Sequence, residues 1–365
     1  MNENFLEKKL AQRREENAFR LLVTSNGKID FCSNDYLGVV KNKLIENSTT
    51  ERLAHGSTGS RLLSGNYSLA EETEKFIANF HEAEAGLIFN SGYDANIGLL
   101  ASVPQKGDVI IYDQLCHASI RDGIRLSFAA SFSFVHNNVE DLEKKLSSAI
   151  NIYKNIFVVT ESVFSMDGDL APLVDISSLC EKYTAGLIVD EAHATGVIGN
   201  KGEGLVQHLN LHKKCLARVH TFGKAVGCHG AVVLGSGQLK NYLINFARSF
   251  IYSTSLPPAT ISAILKSYNI FPFLTEERNH LNNLIELFKN ATSKYFILKS
   301  DTPIQAIIVP GNTEVKKIAG ILQQNNFDVR PILYPTVPKG RERLRIVFHE
   351  FNTIAEMDKI TSLIK

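Results

Sequence analysis

The chain lacks most of what would assign it to a simple class. Charge of one sign is missing: 39 basic against 38 acidic side chains leave a net charge of +1. That excludes a strong electrostatic draw toward nucleic acid or an anionic membrane surface. No apolar run approaches the roughly 20 residues that a membrane span needs. The opening segment, MNENFLEKKLAQRREENAFR, is charged throughout and has no apolar centre, so it does not read as a secretory signal. The five cysteines (Cys32, Cys116, Cys180, Cys215, Cys228) are scattered, odd in number and without a CxxC pair. They read as reduced thiols of a cytoplasmic protein, not as a disulfide frame or a zinc site, and no bound metal is expected. Repeats and low-complexity stretches are absent. What remains is 365 residues, 44% of them hydrophobic, which suits an enzyme with one large domain and a smaller one.

Residues 3–22 read as an amphipathic helix, with Phe5, Leu6, Leu10, Ala18, Phe19 and Leu22 facing the body. From about residue 55 the pattern is α/β. Strands are expected at 29–31, 86–89, 109–112, 156–160, 187–189 and 231–234. Helices are expected at 69–80, from near Gly92 to 101, at 139–146 and at 173–182. Ser68 with Glu71 has the spacing of a capping box. Short continuous apolar strands alternating with helices predict a mostly parallel sheet covered on both faces. Leu256-Pro257-Pro258 is read as a boundary. Beyond it come helices at 258–271 and 276–295 and strands at 306–309 and 344–348. The expected division is an N-terminal helix and arm (1–50), a large domain (51–255) and a small C-terminal α+β domain (256–365).

The most informative residue is Lys224, in Thr221-Phe222-Gly223-Lys224-Ala225 with Gly227 just beyond. Apolar and glycine neighbours are unusual for a surface lysine and suit one that binds a carbonyl cofactor covalently. Asp190-Glu191-Ala192-His193 follows the apolar run Leu187–Val189. A strand-end aspartate, a histidine three residues on and a glycine-flanked lysine further down point to pyridoxal 5'-phosphate (PLP), whose ring nitrogen takes an acidic partner. Taken alone, Asp190 is more commonly a helix N-cap. Asn90-Ser91-Gly92-Tyr93 joins a strand to a helix, where backbone N–H groups and the helix dipole suit a phosphate; alone it is a plain turn. His117, after the 109–112 strand, sits where α/β sheets place ligands, though a lone histidine is usually structural. The Cys-His pairs at 116–117 and 228–229 lack metal-ligand spacing. Gly56–Arg61 and Gly199-x-x-Gly202-x-Gly204 match neither the dinucleotide fingerprint nor the P-loop. A Ser165, His193, Asp190 hydrolase is a rival, but the GxSxG elbow is absent.

Together these segments resemble the α-oxoamine synthases, fold-type-I PLP enzymes. The resemblance runs from Phe31 to Phe348 and is carried by Ser33-Asn34-Asp35-Tyr36-Leu37-Gly38, Gly59-Ser60-Arg61, Ser91-Gly92-Tyr93, His117-Ala118-Ser119, Glu161 to Gly168, Asp190 to His193, Thr221 to Lys224 and Tyr252 to Pro258. It implies a large domain with a mostly parallel seven-stranded sheet between helices and a smaller C-terminal α+β domain. It implies a homodimer with active sites at the subunit interface. The implied reaction condenses an amino acid with an acyl thioester, releasing CO2 and the thiol. The Tyr-Ser-Thr-Ser segment, the short N-terminus and Thr336 favour L-alanine and a pimeloyl thioester (of CoA or a carrier protein), a step of biotin biosynthesis. The alternatives are another member of the family (glycine C-acetyltransferase, serine palmitoyltransferase, 5-aminolevulinate synthase) or a non-catalytic binding subunit.

The resemblance also implies roles. Lys224 holds PLP and moves the substrate α-proton. Asp190 pairs with the ring nitrogen and His193 with the ring oxygen, with Ser165 close to it. His117 stacks on the ring. Gly92, Tyr93 and Thr221 hold the phosphate, and Thr254 and Ser255 reach the phosphate of the neighbouring subunit. Arg20 and Thr336 contact the acyl substrate, Arg13 and Arg14 being neighbours of Arg20 that compete for its role. Arg345 takes the amino acid carboxylate. Two departures bear on substrate choice: Arg61, a feature of glycine-using relatives, and Cys228-His229 shortly after Lys224.

Overall fold

A computed structural model describes residues 3–25, 27–48, 52–290 and 295–364. By its contacts the chain divides into two compact units. The larger comprises 37–164 and 170–278. The smaller gathers 1–36, 165–169 and 279–365.

In the larger unit, seven strands form one sheet in the order Ala85–Phe89, Ala231–Gly235, Cys215–Thr221, Gly186–Asp190, Ile156–Glu161, Val109–Asp113 and Ala130–Phe134. Only Ala231–Gly235 runs against the rest, antiparallel to both its neighbours. Ile156–Glu161, near the middle of the sheet, is buried along its whole length, because helices cover both faces. One face packs Leu87, Phe89, Ile110, Val159, Ile188 and Val219 against Leu99, Leu100, Ile120 and Leu243. The helices Gly92–Ser102, Ala118–Leu126 and Gly237–Phe246 contribute the latter set. Burying one such leucine is worth about 1.5–3 kcal/mol, so this layer fixes the strand ends on which the site is built.

Several elements of this unit escape the sequence patterns, the helices Leu205–His208, Gly237–Phe246 and Arg248–Ile251 among them. Ala130–Phe134 is an edge strand with mostly exposed middle residues. Ala118–Leu126 is a short helix. Cys215–Thr221 carries Arg218 and His220 in its interior, both buried, and these hide it from any search for an apolar run. The capping box at Ser68 does not form. The helix Ser68–Phe80 starts with Tyr67 in the cap position and no side-chain cap, and Glu71 instead accepts from Asn66 Nδ2 at 2.7 Å.

The expected boundary at Pro257-Pro258 lies inside this unit, which continues to Arg278. Pro258 opens the helix Pro258–Ile270, a position proline favours because the first turn has no use for its missing N–H. That helix packs on Ser68–Phe80. The expected 50/51 boundary and residues 291–294 of the expected 276–295 helix lie outside the described residues; the described helix is Thr275–Lys289.

In the smaller unit, Arg330–Ile332, Arg343–Val347, Ile304–Ile308 and Phe296–Ile297 form an antiparallel sheet in that order. Ile29–Asp30 pairs in parallel with Phe327–Asp328. Phe31, Phe327, Phe348 and Phe288 fill the core edge-to-face, at 5.8, 5.8 and 5.2 Å between ring centres. The N-terminal helix differs from expectation. It spans Asn4–Glu15 only, with no buried residue, and ends before Asn17, whose φ of 51° is left-handed. Ala18 is buried, while Phe5, Leu6, Leu10 and Leu22 remain exposed.

Candidate functional site

The candidate residues of the larger unit gather where the parallel strands end, the position at which open α/β sheets bind ligands. Asp190 is the last residue of its strand and is buried. One carboxylate oxygen accepts from Asn96 Nδ2 at 2.7 Å, and the other from the backbone N–H of Ala192 at 2.9 Å. The second bond is the turn-capping role; the first fixes the direction of the oxygen it reaches. Asn96 also donates to Ser119 Oγ at 3.0 Å. The Ser119 hydroxyl lies 2.8 Å from His117 Nδ1, which also accepts from the Ser119 backbone N–H. His117 Nδ1 is therefore an acceptor. Burial, against the pull of the Asp190 charge and aided by that of Lys224, lowers its pKa, so the ring is neutral. His193 is buried on the turn that follows Asp190.

Glu161 was not expected. It ends the strand beside that of Asp190, the two being register partners, and it accepts from the His117 backbone N–H at 2.6 Å. Burial and then the Asp190 charge push its pKa up to about 8, against the pull of Lys224. Asn96 and Ser119 were missed as well. The one available signal was shared by Glu161 and Asp190: a carboxylate ending a wholly apolar strand.

Lys224 lies three residues beyond the end of Cys215–Thr221 and is half-buried. Its loop closes on itself: Gly227 N–H donates to Lys224 O at 2.8 Å and Cys228 N–H to Phe222 O at 2.7 Å. Gly227 takes a φ of 67°, and a Cβ there would strike Val39. Cys228 is a thiol pushed up to about 12 by burial, and His229 is exposed. Among the described residues, no group of three or more His, Cys, Asp or Glu side chains is arranged to hold a metal ion.

Thr221 and Gly92 meet at the start of the helix Gly92–Ser102. Thr221 Oγ1 is buried with no hydrogen-bond partner. A Cβ on Gly92 would come within 2.5 Å of Thr221 Cγ2, so only glycine leaves room there. Gly92 opens its helix, with Ser91 Oγ capping Asp94 N–H at 3.0 Å. Tyr93 is part-exposed and its hydroxyl bonds Asp122. Nearby, Asn90 Nδ2 donates to Thr254 O at 2.8 Å, and Ser255 N–H donates to Gly59 O at 2.9 Å. Arg61 is committed elsewhere, donating to the buried Glu74 at 2.7 Å and to Asn66 at 2.7 Å.

The smaller unit holds the other candidates. Arg345 Nε donates to Ser165 O at 2.7 Å and Nη2 to Asn34 Oδ1 at 3.0 Å. Tyr36, buried with its hydroxyl raised to about 12 by desolvation, also bonds Asn34 at 3.1 Å. Arg20 Nη2 donates to Thr336 Oγ1 at 2.8 Å, both side chains being exposed. Arg14 is engaged with Glu7 and lies 4.8 Å over the Phe19 ring.

The family of class I and II aminotransferases matches residues 26–360, so the chain belongs to that family. A putative 8-amino-7-oxononanoate synthase of Methanococcus vannielii is 41% identical, covering 98% of each chain. An 8-amino-7-oxononanoate synthase of Emericella nidulans is 38% identical, covering 97% of this chain and 93% of its own. Among solved structures, a serine palmitoyltransferase from S. paucimobilis with bound PLP and myriocin superposes with a TM-score of 0.88 at 25% identity, over 99% of this chain and 96% of that one. Within the aminotransferase fold the chain is an α-oxoamine synthase, most like the 8-amino-7-oxononanoate synthases.

Proposed function

We propose that the chain binds PLP and condenses L-alanine with a pimeloyl thioester, of CoA or a carrier protein, to an α-amino ketone for biotin synthesis. It does so as a cytoplasmic homodimer. The observation that carries this is the orphaned Thr221 hydroxyl against Gly92, three residues before a half-buried lysine and within the layer that holds Asp190 and Asn96. These residues fit PLP. Thr221, with the Gly92 and Tyr93 backbone, takes the phosphate. Asp190, held by Asn96, pairs with the ring nitrogen. His193 and Ser165 would serve the ring oxygen, and the neutral His117 ring would stack on the cofactor. Thr254 and Ser255 serve the partner subunit's phosphate.

When bound, PLP supplies an electron sink for charge at the amino acid Cα. The chain's own work is proton handling and orientation. Lys224 Nζ would take the α-proton and return one at the end, which requires it to be neutral at that moment. The Cα–acyl bond forms as the C–S bond breaks and the thiolate leaves. The bond from Cα to the carboxylate then breaks, releasing CO2. Arg345 orients the amino acid carboxylate until that step. Arg20 and Thr336 hold the acyl substrate.

Borohydride reduction of the purified protein with PLP, followed by peptide mapping, places the label on Lys224. Thiol release is then measured with alanine, glycine and serine against acyl-CoAs of rising length, and is fastest with alanine and the pimeloyl donor. Folded protein that gives no PLP absorbance band sinks the reading. Glycine or serine outpacing alanine moves the chain to another activity of the same family.

A further inference from the structure

Strand Cys215–Thr221 presents alternate residues to opposite faces of the sheet. Thr221 meets Gly92; Arg218 and His220 point the other way, into a buried polar cluster. His220 and His81 are fully buried, with ring centres 4.0 Å apart. His81 Nε2 lies 3.1 Å from the Tyr268 hydroxyl, and Arg218 Nη2 donates to His81 O at 2.6 Å. None of these residues has a place in the chemistry described above.

The route from this cluster to the site runs through Thr195. Its hydroxyl donates to Glu191 O at 2.7 Å and lies 2.9 Å from His220 Nδ1. A hydroxyl has one hydrogen. With that hydrogen on Glu191 O, the second contact is made only if His220 Nδ1 donates. His220 is thereby fixed as the Nδ1–H tautomer, and its Nε2 keeps a lone pair that meets no protein donor. Burial, then the neighbouring His81 and Arg218, hold the ring well below its usual pKa, which agrees with a neutral ring. Glu191 O also accepts from the backbone N–H of Ala194 at 3.1 Å and of Thr195 at 2.9 Å. These bonds close a turn that starts at Asp190 and carries His193.

We propose that His220 is a positioning residue for this turn: its Nδ1–H aims the Thr195 hydroxyl at the Glu191 carbonyl and so sets how Asp190 and His193 are presented to the cofactor. The inference rests on the PLP reading above. Its partners cross to the sheet face away from Thr221, so His220 acts on the cofactor only through the turn.

The test uses the full-length protein, titrated with PLP and followed by the absorption spectrum of the bound cofactor, with melting of the cofactor-free protein as control. Thr195→Val removes the hydroxyl and keeps the shape. His220→Leu removes the donor, and His220→Asn returns an N–H near the position of Nδ1. Thr195→Val and His220→Leu are each expected to weaken PLP binding about tenfold, the equivalent of one lost buried hydrogen bond, and to move the cofactor band. The double variant binds no worse than the weaker single, because one linkage is being cut. His220→Asn binds within about twofold of the parent.

The proposal is overturned if the single variants leave affinity and band unchanged while lowering only the melting point. It is also overturned if the two losses multiply, or if His220→Asn is as poor as His220→Leu. Should His220→Leu not fold, Thr195→Val alone, and combined with His220→Asn, decides by the same criteria. A parent protein that fails to bind PLP sinks the functional reading instead; a parent that binds alongside indifferent variants sinks only the role of His220.

Discussion

Arg61 and Arg345 are both partly shielded arginines in segments that bear on substrate choice, and their surroundings differ in kind. Arg61 donates to Glu74, a fully buried carboxylate that also takes Lys240 at 2.8 Å and the Ile88 backbone N–H at 3.0 Å. Its charge is cancelled within the protein. Arg345 is held by a backbone carbonyl, the Asn34 amide oxygen and the Tyr36 hydroxyl, all neutral. Dipoles fix its orientation and leave its charge unspent, so it can still attract a carboxylate. An arginine conspicuous in the sequence can thus be a strut, and its partners decide which kind it is.

The largest expected effect tests that contrast directly. Arg345→Ala should raise the KM for the amino acid about 100-fold, as losing a charge-assisted pair does, with the fold intact by circular dichroism. Amino acid kinetics that do not change would remove Arg345 from substrate binding. Arg61→Ala should do the reverse. We expect a loss of about 2 kcal/mol of stability, since a buried carboxylate loses one of two cations, and a KM within about twofold of the parent. A large shift in amino acid preference without loss of stability would restore Arg61 as a specificity residue.

Glu161 extends the comparison to a buried acid without a cation bonded to it. Its folded pKa, about 8, lies above its ordinary value. Between pH 4.5 and 8 the unfolded chain gives up this proton and the folded chain keeps it, so stability falls as pH rises through that window. Glu161→Gln keeps an acceptor for the His117 N–H. It should therefore stabilise the cofactor-free protein at pH 8.5 by about 1.4 kcal/mol or more and leave it nearly unchanged at pH 4.5. Equal melting shifts at the two pH values would show that Glu161 is ionised in the fold. The smallest effect belongs to the exposed pair Arg20 and Thr336. Thr336→Val removes one exposed hydrogen bond and should change the KM for the acyl thioester about two- to threefold, measured against an alanine KM that does not move.

The same physics explains which parts were legible in the sequence. Ile156–Glu161 and Gly186–Asp190 announce themselves as apolar runs because both faces are covered. Cys215–Thr221 is just as central but carries Arg218 and His220, whose partners come from distant segments. Lys224, Asp190 and His193 stand in short recognisable motifs. Asn96 acts on a residue 94 positions away and Glu161 on one 44 positions away; neither distance is encoded locally. Arg61 looked like a substrate residue because its partner, Glu74, sits inside an ordinary amphipathic helix.

The smaller unit is assembled from both ends of the chain, and this has a consequence for synthesis. Among the described residues, Ile29–Asp30 has its one strand partner in Phe327–Asp328, and Phe31 packs on Phe327 and Phe348. At ribosomal speeds of about 5–20 residues per second, the first segment waits roughly 15–60 s for the last. Through that interval the larger unit can complete its sheet, while Phe31 has no core to enter. Phe31 and its strand are made long before their partners, and any chaperone that meets the nascent chain in that interval meets them bare.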